Sequence, residues 1–206
     1  MTTHSGQQPR PAVPECHDDV CITCSDTAVE VTVVRLLDDG LAAQAGHDLT
    51  IEATRWSGVL AVNEDLSPAG LDVRIDMGAL VVRDGTGGVK PLTDRDRREI
   101  AVTTRKVLAS DRHPEAVFAA AGFEPIAGGG GEVSGTLTIR GQGRPLRLRV
   151  SQTGADRYHA EGQVIQSEYG IKPYTAFLGA LRVRDAIDVA VDLDLSETAE
   201  DSGTGS

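Results

Sequence analysis

The densest grouping of metal-capable side chains is Cys16-His17-x3-Cys21-x2-Cys24. Three thiols and an imidazole are enough to fill a tetrahedral zinc shell. Against that reading, adjacent Cys16 and His17 make an awkward pair of ligands, and no second cysteine pair follows. Exposed thiols on a strand-forming leader are the plainer alternative. All three cysteines fall before residue 25, so no closed disulfide framework is expected.

A second stretch, DGTGGVKPLT from Asp84 to Thr93, invites an anion. Its glycines free the backbone for close approach, Lys90 supplies charge, and the start of a helix follows. It fails the nucleotide-binding pattern, because Val89 precedes Lys90 and Pro91 stands where a magnesium-binding hydroxyl belongs. A seat for a lipid phosphate and an ordinary flexible loop are the two readings left. Next comes a basic cluster, Arg95, Arg97, Arg98, Arg105 and Lys106, mixed with Asp94, Asp96 and Glu99; pairing along a solvated helix face accounts for it. Tyr169, Lys172 and Tyr174, in a Gly/Pro-interrupted stretch, are placed to rim a barrel mouth or to serve as turn residues. Catalytic patterns are missing. There is no G-x-S-x-G elbow, the five histidines (His4, His17, His47, His113, His159) lack H-E-x-x-H spacing, and His47 and Asp48, as strand neighbours, point to opposite faces. The expectation is a non-enzymatic protein.

The elements that must position these groups are mostly strands. In VSGTLTIRGQGRPLRLRV, Val133, Leu137 and Ile139 oppose Ser134, Thr136, Thr138 and Arg140. After a Gly/Pro turn over Gly141–Pro145, Leu146, Leu148 and Val150 oppose Arg147 and Arg149. Period-2 alternation of this kind marks a sheet with one apolar and one wet face. The same pattern recurs at Val29–Val33, Leu49–Ala53 (with Trp56 following), Leu71–Met77, Ala116–Ala120, Tyr158–Val164 and Ile187–Leu195. One helix is predicted, over Thr93–Leu108, with Ile100, Thr104 and Val107 on one face and acids near its start. Gly128–Gly131 reads as a hairpin tip.

Apolar residues make up 40% of the 206-residue chain but aromatics only 3%, so any core is built of Val, Leu, Ile and Ala. The net charge of −11 argues against nucleic acid and anionic membrane surfaces as partners. No stretch approaches the ~20 apolar residues of a membrane span, and the polar N-terminus lacks the apolar run of a secretory signal; a cytoplasmic protein is expected. Residues 1–14 and 196–206 are read as disordered, 15–45 as a cysteine-containing segment with one strand that pairs at the sheet's edge, and 46–195 as the folded domain. An antiparallel all-β domain of this kind forms a sandwich or a closed barrel, and both fit the pattern.

From Gly46 to Leu195 the chain resembles the YceI family of lipocalin-like proteins. The resemblance is carried by HDLTIEATRWSG, LDVRIDMGAL, TDRDRREI with LASDRHPEAVFAA, the hairpin VSGTLTIRGQGRPL, and the closing segment that starts EYGIKPYTAF. It implies an antiparallel lipocalin-like β-barrel with one short helical insertion, whose interior holds an isoprenoid chain such as a polyprenyl lipid or quinone. The wall would then comprise Leu49, Ile51, Trp56, Val73, Ile75, Phe118, Leu137, Ile139, Leu148, Val164, Tyr169, Val189 and Val191. For any one of these, ordinary core packing is the competing reading. No cofactor motif is present; the apolar small molecule is the expected partner, and a homodimer is left open. Residues 16–42 also resemble the start of HypC/HupF hydrogenase-maturation chaperones, which implies metal handling through Cys21 or Cys24 as the alternative function.

Overall fold

The structure, a computed structural model, describes residues 20–25, 30–33, 46–63, 68–88, 90–127, 130–176, 178 and 181–194. Its strands are β1 (Val20–Ser25), β2 (Glu30–Val33), β3 (His47–Ala53), β4 (Trp56–Val62), β5 (Pro68–Asp76) and β6 (Leu80–Gly87). Helix α1 (Asp94–Leu108) comes next, then β7 (Glu115–Pro125), β8 (Gly130–Ile139), β9 (Gln142–Gly154) and β10 (Arg157–Ile165). A 3₁₀ turn at Gln166–Tyr169 leads to β11 (Thr175–Ala176), β12 (Leu181–Arg182) and β13 (Ala186–Asp194). Among the described residues, eleven strands form one antiparallel sheet in the order β1-β4-β5-β7-β8-β9-β10-β13-β2-β3-β6, and β11 pairs with β12 apart from it.

The sheet curls into a barrel-like wall through one bent corner. β3 pairs with β6 and its continuation β4 pairs with β5, so β3–β4 and β5–β6 behave as two long strands bent together. Backbone bonds from Thr54 N to Ala79 O and from Asp76 N to Arg55 O, both 3.0 Å, hold the bend. Across the wall the inward positions fall in register: Ile75 faces Ala116, Val73 faces Phe118, Phe118 faces Leu137, and Gly162 faces Val189.

Four local expectations change. The segment before residue 46 supplies two strands, and the one near Val29–Val33 is not at the edge: β2 lies between β13 and β3, while β1 forms the edge beside β4. The β-branched Val20, Ile22 and Thr23 favour a strand in their own right. The β8–β9 turn is two residues, Arg140 and Gly141, with φ of 53° and 75°, the left-handed pair whose twist suits a hairpin. Pro145 therefore sits inside β9, opposite Thr136 and beyond the last β9–β10 register pair, where a missing N–H costs little. Asp84–Gly87 is the end of β6, paired with His47–Thr50, and not part of a loop. Gly128, Gly129, Leu195 and the two terminal segments lie outside the described residues.

The helix starts where its acids predict. Thr93 caps it, Asp96 N donating to Thr93 Oγ1 at 3.2 Å while Asp96 Oδ2 accepts from Thr93 N at 2.9 Å. Its apolar side closes on the sheet: Ile100, Ala101 and Leu108 pack against one core cluster, and Val107 with Leu108 against the other. Replacing Thr93 with Ala removes a reciprocal cap and should destabilise the protein by about 1 kcal/mol. A urea midpoint that does not move would contradict this assignment.

Candidate functional site

The inward face carries two apolar clusters. One is built on Leu49, Ile51, Ala53, Met77, Leu80, Val82 and Ala116, with Trp56, Ile75, Ile139 and Val191 against it. The other is built on Phe118, Leu137, Leu146, Val164, Tyr169 and Ile171, with Val73, Ile139, Leu148 and Val189 against it. All thirteen residues expected to form the wall fall in these clusters, and Ile139 and Leu108 touch both. Leu49, Ile51, Phe118, Leu137, Val164 and Tyr169 are buried; Trp56, Val73, Ile75, Ile139, Leu148, Val189 and Val191 are only half-buried. Among the described residues no large side chain reaches full burial. The apolar side of this sheet is partly covered by its own core and partly exposed.

Tyr169 is the polar tip in that lining. Its burial, and secondarily the charge of Glu168, push its phenol above the ordinary range, so it is neutral at physiological pH. The 3₁₀ turn ending at Gly170 (φ 66°) seats it there. Met77, at the end of the alternating Leu71–Met77 run, is buried beside the wall; Ile171, also buried, was not singled out by alternation, because it lies in a loop where period-2 patterning stops.

A hollow of about 760 Å³ opens on the other, wet face, lined mainly by Asp48, Thr50, Glu132, Arg147, Arg149, Glu161 and Asp188, with Leu49 and Val189 among its contacts. Its charged rim does not suit an isoprenoid chain. Ion pairs cover the same face: Arg147–Glu132 at 3.2 Å, Arg157–Asp194 at 2.9 Å and Arg55–Asp76 at 2.7 Å. His159 Nδ1 lies 2.7 Å from Asp192 Oδ1, and Ser151 pairs with His159 in register. This serine–histidine–aspartate row was invisible in the sequence, since three strands contribute to it. Ser151 Oγ is directed to the His159 carbonyl oxygen (3.4 Å), which gives the row a structural part.

The weaker sites stand as follows. Lys90 is exposed, and its carbonyl lies 2.7 Å from His47 Nε2. The nearby helix N-terminus is already served by Asp96, whose carboxyl is held below the usual range, chiefly by the Thr93 hydroxyl; a phosphate there would meet two carboxylates, Asp94 and Asp96. In the basic cluster, Arg95 Nε bonds Glu99 at 2.9 Å and Arg97 Nη1 bonds Asp94 at 3.4 Å, as expected of a solvated helix face. Cys16 and His17 lie outside the described residues. Cys21 and Cys24 occupy positions of opposite parity in β1, in register with Ala61 and Gly58. Among the described residues, no cluster of three or more His, Cys, Asp or Glu could hold a metal ion.

A family model described as YceI-like domain matches residues 30–195. The chain belongs to that family. No curated protein matches it. Among solved structures it is similar to BcnA of Burkholderia cenocepacia, with a TM-score of 0.55, 15% identity, and coverage of 80% of this chain and 94% of BcnA. It is also similar to the Campylobacter jejuni YCEI protein, with a TM-score of 0.53, 18% identity, and coverage of 69% of this chain and 81% of that one. A Campylobacter variant crystallised with a monobromobimane guest aligns at a TM-score of 0.54 and 16% identity. At these identities the likeness shows the fold, an all-β barrel-like YceI-like domain. The matched span begins at β2, which agrees with the place of that strand inside the sheet. No helix among the described residues is long and apolar enough to cross a membrane.

Within this YceI-like domain the corner strands carry a pair with a pH signature. Arg83 donates to both carboxylate oxygens of Glu52, the Nη2 bond being 3.0 Å. That hydrogen bond, partly offset by burial, holds the Glu52 carboxyl below its ordinary range. Its folded pKa lies below the unfolded value of about 4.3. The contribution is therefore present above that pH and lost as pH falls through the folded value. Arg83 is more than half exposed, so screening keeps the effect at pH 7 under about 1 kcal/mol. Glu52→Gln should flatten the acid limb of the stability curve; equal slopes for both proteins between about pH 5 and pH 3 would remove the pair from the account.

Proposed function

We propose that this protein is a non-enzymatic carrier of an apolar, isoprenoid-like lipid, such as a polyprenyl chain or a quinone, held against the inward face. The observation that carries the reading is the half-buried state of Val73, Ile75, Ile139, Leu148, Val189 and Val191, apolar residues that face inward on strands in register, pack against the core clusters and keep part of their surface exposed. Apolar surface left partly wet is worth about 25 cal/mol per Å² to whatever covers it. An isoprenoid chain has almost no hydrogen-bonding groups, so a wall of aliphatic side chains meets its chemistry without leaving polar atoms unpaired. The YceI-like family assignment supports the same reading, and the single neutral phenol of Tyr169 supplies one polar contact for a headgroup.

Freshly purified protein should release a polyprenyl lipid or quinone on solvent extraction, and native mass spectrometry should show the complex. Val73→Thr and Val189→Thr keep side-chain shape but place an unmatched hydroxyl in the wall. Each should weaken binding of a polyprenol about fivefold or more, while Thr136→Val on the wet face leaves it unchanged. A stripped protein that takes up neither polyprenol nor quinone would overturn the proposal.

A further inference from the structure

One buried hydroxyl on the apolar side has no partner within the protein. Tyr169 is 2% exposed and sits among Phe118, Leu137, Leu146, Val164 and Ile171. Among the described residues, nothing is hydrogen-bonded to its phenol oxygen. Arg97 Nε is the only fully enclosed side-chain polar atom without a partner among those residues. The Tyr169 hydroxyl is therefore not sealed in and still touches open space. A buried tyrosine hydroxyl ordinarily finds a partner. One that lacks it and remains within reach is a place for a guest's oxygen.

The turn that carries this phenol is fixed before any guest arrives. Gly170 N donates to Ser167 O at 3.0 Å and Ile171 N to Gln166 O at 3.1 Å. Gln166 N and Nε2 donate to Asp185 O and Arg184 O at 2.9 and 2.7 Å, and Arg140 Nη1 donates to Gly170 O at 2.8 Å. A donor held in this way loses little freedom when it is used. Negative charge is disfavoured beside it. The burial that keeps the phenol neutral penalises any anion in the same place, and Glu168 repels one. Arg144 acts in the opposite sense, but its Nη1 and Nη2 already donate to Gly143 O and Gln142 Oε1 at 2.9 and 3.2 Å. From this cluster the apolar side continues past Ile139 and Leu108, which touch both clusters, into the first. The buried members there, Leu49, Ile51 and Met77 among them, carry no hydroxyl or charge.

We propose that Tyr169 sets ligand selectivity: its O–H donates to an uncharged oxygen, a quinone carbonyl or an alcohol, at the head of the isoprenoid chain, and the tail runs from the second cluster toward the first. The assignment rests on the carrier reading above and adds to it a class of head and a direction for the chain. A headless hydrocarbon leaves the hydroxyl unmatched. A phosphate head has to give up its hydration beside a buried group with no free cation committed to it, which costs more than one hydrogen bond returns. A neutral oxygen meets the phenol with neither loss.

The test is native mass spectrometry of lipid-stripped, full-length protein titrated with four probes: a polyprenol, the quinone and the monophosphate that carry the same chain, and the corresponding hydrocarbon. Wild type should hold the quinone and the polyprenol about fivefold more tightly than the hydrocarbon or the phosphate. Tyr169→Phe keeps the ring; it should lose that margin and bind the hydrocarbon as before. Free of lipid, this variant should unfold at the wild-type temperature or above, because no bond within the protein is lost. Tyr158→Phe, at the far end of β10 (Arg157–Ile165), should leave the margin as it is. Equal binding of all four probes by wild type, a preference for the phosphate, an undiminished margin in Tyr169→Phe, or earlier unfolding of that lipid-free variant would overturn the proposal. Each of those results leaves the carrier reading standing, since the chain is still bound. Uptake of none of the four removes the carrier reading, and this assignment with it.

Discussion

A sheet that must hide one face, built largely from aliphatic side chains, is the constraint on which the rest depends. Barrels of about eight strands leave an interior just wide enough for side chains to fill. Here that interior receives mainly Val, Leu, Ile, Ala and Gly, from a chain with three Phe, three Tyr and one Trp. Burial is accordingly incomplete at Val73, Ile75, Leu148, Val189 and Val191. The barrel is closed off not by its own bulk but by α1, whose Leu108 bridges the two clusters.

Two larger side chains of the wall, Phe118 and Leu148, lie along it. A Cβ added at Gly135 would come within 2.7 Å of the Phe118 ring, and one added at Gly162 within 2.7 Å of a Leu148 methyl. Each large side chain leans over a glycine on the adjacent strand and spreads sideways across the sheet. That arrangement covers the backbone where the strands come closest. Glycine in a strand ordinarily weakens it; at these two positions, the loss is offset by contact with the overlying side chain.

Alternation made the fold legible because it reports one physical choice, wet or dry, at every residue. The strands at Leu49–Ala53, Leu71–Ile75, Ala116–Ala120 and Val133–Ile139, and the helix with its Thr93 start, could all be read that way. So could the inward parity of residues such as Phe118 and Leu137, whatever their partners. What could not be read is pairing. Nothing in Ala53-Thr54-Arg55-Trp56 says that one strand bends through a corner and changes partner there. Glycines in Asp84–Gly87 and Pro145 in β9 look like loop residues because their local preferences oppose a strand, and only neighbouring strands overrule them. Ser151, His159 and Asp192 meet through register, which no single segment contains.

Register, in turn, is enforced from the wet side as much as the dry. Slipping β9 by one residue against β8 would turn Arg147 and Arg149 inward and Leu146 and Leu148 outward. Each exposed ion pair on that face contributes little to stability. Their presence at Arg147–Glu132, Arg157–Asp194 and Arg74–Glu115 instead makes every slipped alignment costly, because it would bury unpaired charge. The carboxylates that balance these arginines are spread around the barrel's outside and leave the chain strongly acidic.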